Sequence, residues 1–268
     1  MSHNYARVVV VKYGGGAMPA GQASKIDPIL AEIVTLREAG SAIVLVHGGG
    51  PEIDAALARR GVESARIDGL RVTDAATLET TEAVLCATVN KRIVRAALAL
   101  GIQAVGISGQ DGDMLVADRA AGLRGHDLGY VGRIVATDVR LLRSLFDGGF
   151  VPVVAPLAVA LDKAHAYNVN ADHAAAAIAA ALRADVFVAI TNVPRVFRDA
   201  NDPASGIDRL TADEALLFAG SAACRSSMKP KVESAARAVR GGASAAFICL
   251  AKPNAIAAAI GGDATIIC

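Results

Sequence analysis

Short runs of almost purely apolar residues, each followed by a longer stretch with helical spacing, constrain this chain most. Val8-Val-Val-Val11 has no polar side to turn toward solvent, and Ile26, Ile29, Ile33 and Leu36 follow it at helical intervals. Residues 42–46 repeat the strand pattern and residues 51–60 the helical one. A strand that alternates apolar and polar residues can leave one face in water, whereas a strand that is apolar throughout has to be covered on both. The alternation therefore predicts an α/β fold with a mostly parallel central sheet between two helical layers, a three-layer α/β/α open sandwich. Further strands are expected at 103–107, 151–155, 186–190, 245–250 and 264–267, and a hairpin is expected to join 115–117 to 131–135. Helices are expected at 75–100, between an Asp74 cap and a Gly101 stop, and at 141–146, 171–182 and 254–260. Thr211-Ala-Asp-Glu214 has the form of a capping box, and Pro230 suits the first turn of a helix that ends at Gly241.

Composition narrows the function classes. A chain of 268 residues that is 53% hydrophobic and 20% charged can bury a sizeable core. Lys and Arg total 27 against 26 acids, a balance that suits neither a dedicated nucleic-acid binder nor a polybasic membrane anchor. With no Trp and 4% aromatic residues, stacking platforms for bases are not expected. No apolar run reaches the roughly 18 residues of a membrane span. The polar start leads straight into a strand, so no signal peptide is expected. The cysteines at 86, 224, 249 and 268 form no CxxC and no zinc spacing, which predicts reduced thiols, a cytoplasmic protein and no metal site of its own. We expect one domain, residues 1–268, with a soft boundary near 161–166.

Two strands run into glycine triplets, Lys12-Tyr13-Gly14-Gly15-Gly16 and His47-Gly48-Gly49-Gly50-Pro51. Beyond the carboxyl end of a strand, glycine lets backbone N–H groups approach an anion closely, although a tight strand-to-helix turn explains one such triplet equally well. The P-loop, dinucleotide and nucleophile-elbow patterns are missing. Asp111 and Asp113 read as solvated turn acids. Arg71, in Gly69-Leu-Arg-Val-Thr-Asp74, is either a surface salt bridge or a bidentate clamp on a substrate carboxylate. Tyr167-Asn168-Val169-Asn170-Ala171-Asp172 would put two amides and a carboxylate on one side if extended; a helix cap would explain one of the three. Ser227-Met228-Lys229-Pro230-Lys231 carries two lysines into a helix start against the dipole, which suggests an anion nearby.

Taken in order with Val89-Asn-Lys91, Ala104-Val-Gly-Ile-Ser-Gly109 and Met228-Lys-Pro-Lys-Val232, these motifs resemble the amino acid kinase superfamily, and within it the acetylglutamate kinases, along nearly the whole chain. The resemblance implies phosphoryl transfer from MgATP to the γ-carboxylate of N-acetyl-L-glutamate, with residues 1–163 holding the acceptor and 164–268 the ATP. It implies catalytic roles for Lys12, Lys231 and Asp172. It implies acceptor contacts from Gly49, Gly50, Arg71, Asn168 and Asn170. For the nucleotide it implies Gly14, Gly15, Asn192, Arg195, Phe197, Met228 and Lys229. Asn192, Arg195 and Ser226-Ser227 depart from the Asp, Gly and glycine pair usual in the family. Asn192 and Met228-Lys229 also resemble the branch that phosphorylates aminoadipate or glutamate attached to a carrier protein. A kinase-like ligand sensor without turnover is the third reading, and retention of Lys12, Asp172 and Lys231 counts against it. The chain begins close to its first strand, without the helix that builds arginine-inhibited hexamers, which implies a homodimer without strong arginine feedback.

Overall fold

The computed structural model describes residues 5–14, 27–67, 69–122, 125–199 and 201–268. Its first half runs β1 (Val8–Tyr13), α1 (Pro28–Glu38), β2 (Ala42–His47), α2 (Gly50–Arg59), β3 (Arg66–Ile67), β4 (Leu70–Arg71), α3 (Ala75–Glu82), α4 (Asn90–Ala99), β5 (Ala104–Ser108), β6 (Leu115–Arg119), β7 (Gly132–Thr137), α5 (Arg140–Asp147), β8 (Val151–Ala155) and β9 (Leu157–Ala160). The second half runs β10 (Ala166–Asn168), α6 (Ala171–Leu182), β11 (Val186–Thr191), β12 (Val196–Phe197), β13 (Gly206–Ile207), β14 (Arg209–Leu210), α7 (Ala212–Gly220), α8 (Lys229–Arg240), β15 (Ala246–Leu250), α9 (Ala255–Ile260) and β16 (Thr265–Ile267).

Eight strands form the central sheet in the order β14-β16-β15-β11-β1-β2-β8-β5. The six from β15 to β5 are parallel, and β16 pairs antiparallel with β15. Period-two geometry divides the apolar strand residues between two cores. Val10, Val44, Val46 and Ala189 join α6 and α8 on one face, while Val9, Val11, Ile43 and Val188 join α1, α2, α4 and α9 on the other. The all-apolar strands are thus covered on both sides, as the α/β/α sandwich requires. The expected hairpin is β6–β7, which with β9 and β10 makes a second, four-stranded sheet. Residues 161–165 are the turn of the β9–β10 hairpin.

Two elements differ from their sequence expectation. The helix expected at 75–100 begins on the Asp74 side chain, which accepts from Thr77 N at 2.7 Å, and Gly101 beyond its end has φ +78°. Between α3 and α4, however, Ala83–Val89 widens into a π-helix. Leu85, in that widened turn, lies against the glycine loop after β2: a Cβ at Gly49 would lie 2.7 Å from Leu85 Cδ2, so a side chain there would force Leu85 to shift. Asn254, expected inside the last helix, instead precedes α9 with φ 56° and makes no cap. The α9 amides are met from α1: Glu32, buried, accepts from Ile256 N at 3.0 Å and Ala257 N at 2.7 Å. Among the described residues no helix is long and apolar enough to cross a membrane.

Candidate active site

Lys12 lies on β1, the central strand, and its ammonium is almost wholly buried. Asp172 faces it from the first turn of α6. Its Oδ1 is 2.9 Å from Lys12 Nζ and its Oδ2 is 3.6 Å from Lys231 Nζ, which arrives from the first turn of α8. Lys231 also donates to Ser227 O at 3.3 Å. Burial would raise the Asp172 carboxyl, but the two ammonium groups outweigh it and hold the carboxyl below its ordinary range. For Lys231, burial and the nearby Lys12 charge outweigh Asp172 and push the ammonium below its usual range. Asp172 is not the cap of α6. Asn170 is, its Oδ1 accepting from Asp172 N at 2.8 Å and His173 N at 3.3 Å, which leaves the Asp172 carboxylate to the lysines. Of the two readings open for 168–172, the chain takes the cap: a strand end at Asn168, the Asn170 cap and the first turn of the expected helix.

A cavity of about 300 Å³ opens in front of Lys12 and Asp172. It gathers every residue expected to hold the acceptor: Gly49, Gly50, Arg71, Asn168 and Asn170. Asn168 ends β10 and donates to Thr73 Oγ1 at 3.1 Å. Arg71 is no surface ion pair: its side chain is only 4% exposed, and it is held by Asp54, Ser64 and the Gly50 carbonyl. Beneath the glycine loop, His47 Nδ1 donates to Gly48 O at 2.8 Å and Nε2 accepts from Asn90 Nδ2 at 3.2 Å. Burial pushes His47 down to about 4, so the ring is neutral at pH 7 and this tautomer is fixed.

A second cavity, of about 290 Å³, opens at the end of β11 and is lined by Asn192, Phe197, Met228 and Lys231 among the residues expected there. Gly14 directly follows Tyr13, the last residue of β1, and a Cβ there would lie 3.4 Å from Lys12 Nζ; Gly15 lies outside the described residues. Arg195 and Lys229 are not part of the lining. The Arg195 guanidinium turns to Asp208 and, at 3.5 Å, to Asp263, while Lys229 Nζ lies 4.0 Å from Glu233 Oε1 on its own helix. Both cations thus pair with acids that do not line this cavity. Asp111 behaves as the expected turn acid, accepting from Ser108 N at 2.6 Å. Lys12 and Asp172 line the first cavity and Lys231 the second, so one buried carboxylate joins two lysines where two cavities meet.

A model of the amino acid kinase family matches residues 7–249. The chain belongs to the amino acid kinase family. Within it, an acetylglutamate kinase of Acidothermus cellulolyticus is 44% identical over 265 residues, covering 94% of this chain and 86% of that protein. One from Rubrobacter xylanophilus is 41% identical over 256 residues, covering 96% and 94%. The N-acetylglutamate synthase of Neisseria gonorrhoeae, solved with coenzyme A and L-arginine, shares the fold with a TM-score of 0.77 at 24% identity. That match covers 98% of this chain but 61% of the synthase, so the chain spans about three-fifths of that longer protein.

Sequence reasoning missed several lining residues of this amino acid kinase. Arg66, Leu85, Phe218 and Cys224 sit in ordinary sequence, and nothing in their spacing marks them. Leu85, which lines the acceptor-side cavity, lies in the π-helical turn.

Proposed function

We propose that this amino acid kinase transfers the γ-phosphoryl group of ATP to the γ-carboxylate of N-acetyl-L-glutamate, the acyl-phosphate-forming step of arginine biosynthesis. The observation that carries the reading is the pair of lysines held on one buried carboxylate between two cavities. The acceptor, bound in the first cavity, presents a carboxylate already ionised at neutral pH, so attack needs no general base. What the protein supplies is alignment and charge. As charge spreads over the transferring group and onto the leaving ADP, the Lys12 and Lys231 ammonium groups interact with it more strongly than in the ground state. Asp172 holds both lysines. Arg71 and Asn168 bind the acceptor, whose non-reacting carboxylate suits a guanidinium, and the Gly49 and Gly50 amides face the reacting end. Asn192, Phe197 and Met228 line the nucleotide side, and Mg²⁺ enters with ATP as part of the substrate.

In this reading residues 1–163 contribute most of the acceptor site and 164–268 the nucleotide site, with Asn168 and Asn170 reaching across. A homodimer in the cytoplasm is part of the same proposal, supported by the family resemblance and by four unpaired cysteines.

Turnover with hydroxylamine trapping tests the reaction, with N-acetyl-L-glutamate, L-glutamate and N-acetylaminoadipate run in parallel. Hydroxamate from N-acetyl-L-glutamate is the expected result. Product from another acceptor alone would replace the substrate, and ligand binding without turnover on any acceptor would replace the enzyme by a sensor.

A further inference from the structure

Arg71 lines the acceptor cavity with its guanidinium buried, yet nothing in the reaction just described says what fixes its orientation. A buried guanidinium needs a counter-charge and a defined set of acceptors, because its donors form a rigid planar fork. Asp54, on the second turn of α2, supplies the charge. Its Oδ1 accepts from Arg71 Nη1 at 2.5 Å, and Ser64 Oγ contacts the same nitrogen. Nη2 has a longer contact, 3.3 Å to the Gly50 carbonyl, so this edge of the fork is held more loosely in a residue that lines the cavity. The other carboxylate oxygen, Oδ2, accepts from Arg66 Nη2 at 2.8 Å, and Arg66 lines the cavity as well. One carboxylate thus ties together two arginines from β3 and β4 and anchors both to the helix that starts at Gly50.

We infer that Asp54 is a positioning residue for acceptor binding: it fixes the Arg71 fork by one nitrogen and leaves the other edge set for a substrate carboxylate. The inference rests on the proposed acceptor site, since it assigns a carboxylate ligand to the Arg71 side of that cavity. It gives α2 a second task beyond presenting Gly49 and Gly50, because Asp54 lies one turn along from the helix start. Partial burial works against ionisation of Asp54, but Arg71 and Arg66 outweigh it and hold the carboxyl below its ordinary range.

Calorimetric binding of N-acetyl-L-glutamate without nucleotide, beside steady-state kinetics, tests this. Asp54→Ala should raise the acceptor Kd and KM about tenfold, the size of one lost charge-assisted hydrogen bond, with kcat and the ATP KM within about twofold of wild type. Asp54→Asn keeps an oxygen for Nη1 and should recover most of the affinity. Arg71→Lys, which cannot present a fork, should lose at least as much as Asp54→Ala. Should Asp54→Ala fail to fold, Asp54→Ser, whose hydroxyl stops short of Nη1, should show the same loss. Unchanged or tighter acceptor binding, no recovery by Asn, equal losses for ATP, or failure of both truncations to fold would each overturn the inference. Wild-type protein that binds N-acetyl-L-glutamate without turning it over would sink the proposed reaction while leaving this test intact; wild-type protein that does not bind it would overturn both.

Discussion

Asp172 is the residue on which the proposed chemistry turns, and its surroundings separate its charge from its place in a helix. Because Asn170 caps α6, Asp172→Asn should leave thermal stability of the helix start intact and still lower kcat by weakening the hold on both lysines. Lys12→Ala or Lys231→Ala should lower kcat by roughly 10²–10³, by analogy with deleting one preorganised donor to a developing oxyanion. A wild-type kcat in Asp172→Asn, or an effect of either lysine variant on KM alone, would remove this trio from the chemical step. The pH profile carries a sign as well. Lys231 must keep its proton to act, and burial beside Lys12 lowers its pKa, so kcat should fall on the alkaline side at a lower pH than an ordinary lysine would give. Asp172 titrates the other way: its ionised form is favoured in the folded protein, a stabilisation present above the ordinary carboxylate pKa and lost as pH falls through its lower folded value.

Among the elements, α9 and the β12–β13 hairpin depend on charges from elsewhere in the chain. Glu32 caps α9 from α1, with both oxygens on backbone amides in a buried site. Glu32→Ala should cost about 2–3 kcal/mol in a denaturant titration and deprotect the α9 amides in hydrogen exchange, with Glu32→Gln intermediate. Arg195 clasps β12 to Asp208 and Asp263, and Gly206 sits against its side chain. Arg195→Gly should therefore lower Tm by about 2–4 °C and leave the ATP KM unchanged, and a shifted ATP KM would restore Arg195 to the nucleotide site. These elements mark the border of what the sequence reveals. Apolar runs, the capping box at Thr211 and the Asp74 cap are written in neighbouring residues and can be read there. The Glu32–α9 cap spans more than two hundred positions, and the π-helical turn at Ala83–Val89 carries no change of composition, so neither leaves a local signal. The polar alternation at 168–172 fits an extended segment and a helix cap alike, and the chain takes the cap at Asn170.

At the scale of the whole molecule, alternation of strand and helix predicts the layers, while the order of the strands comes only from long-range pairing. The two cavities lie beyond the carboxyl ends of the parallel strands β1, β2 and β11, the usual place for ligands in an open α/β sheet. Lys12 at the end of the central strand lines the first and is tied through Asp172 to Lys231 in the second, so motifs from the two ends of the sequence converge there. That central strand also precedes the other described strands along the chain. β1 pairs with β11 on one side, and Val8 N donates at 2.7 Å to Asp185 Oδ2, 177 residues further on. At the usual 5–20 residues per second of synthesis, the ribosome delivers that partner roughly ten to thirty seconds after β1. Throughout this interval Val8–Val11 leaves one edge without its partner, so the nascent chain carries a wholly apolar strand edge open to mispairing until the second half emerges.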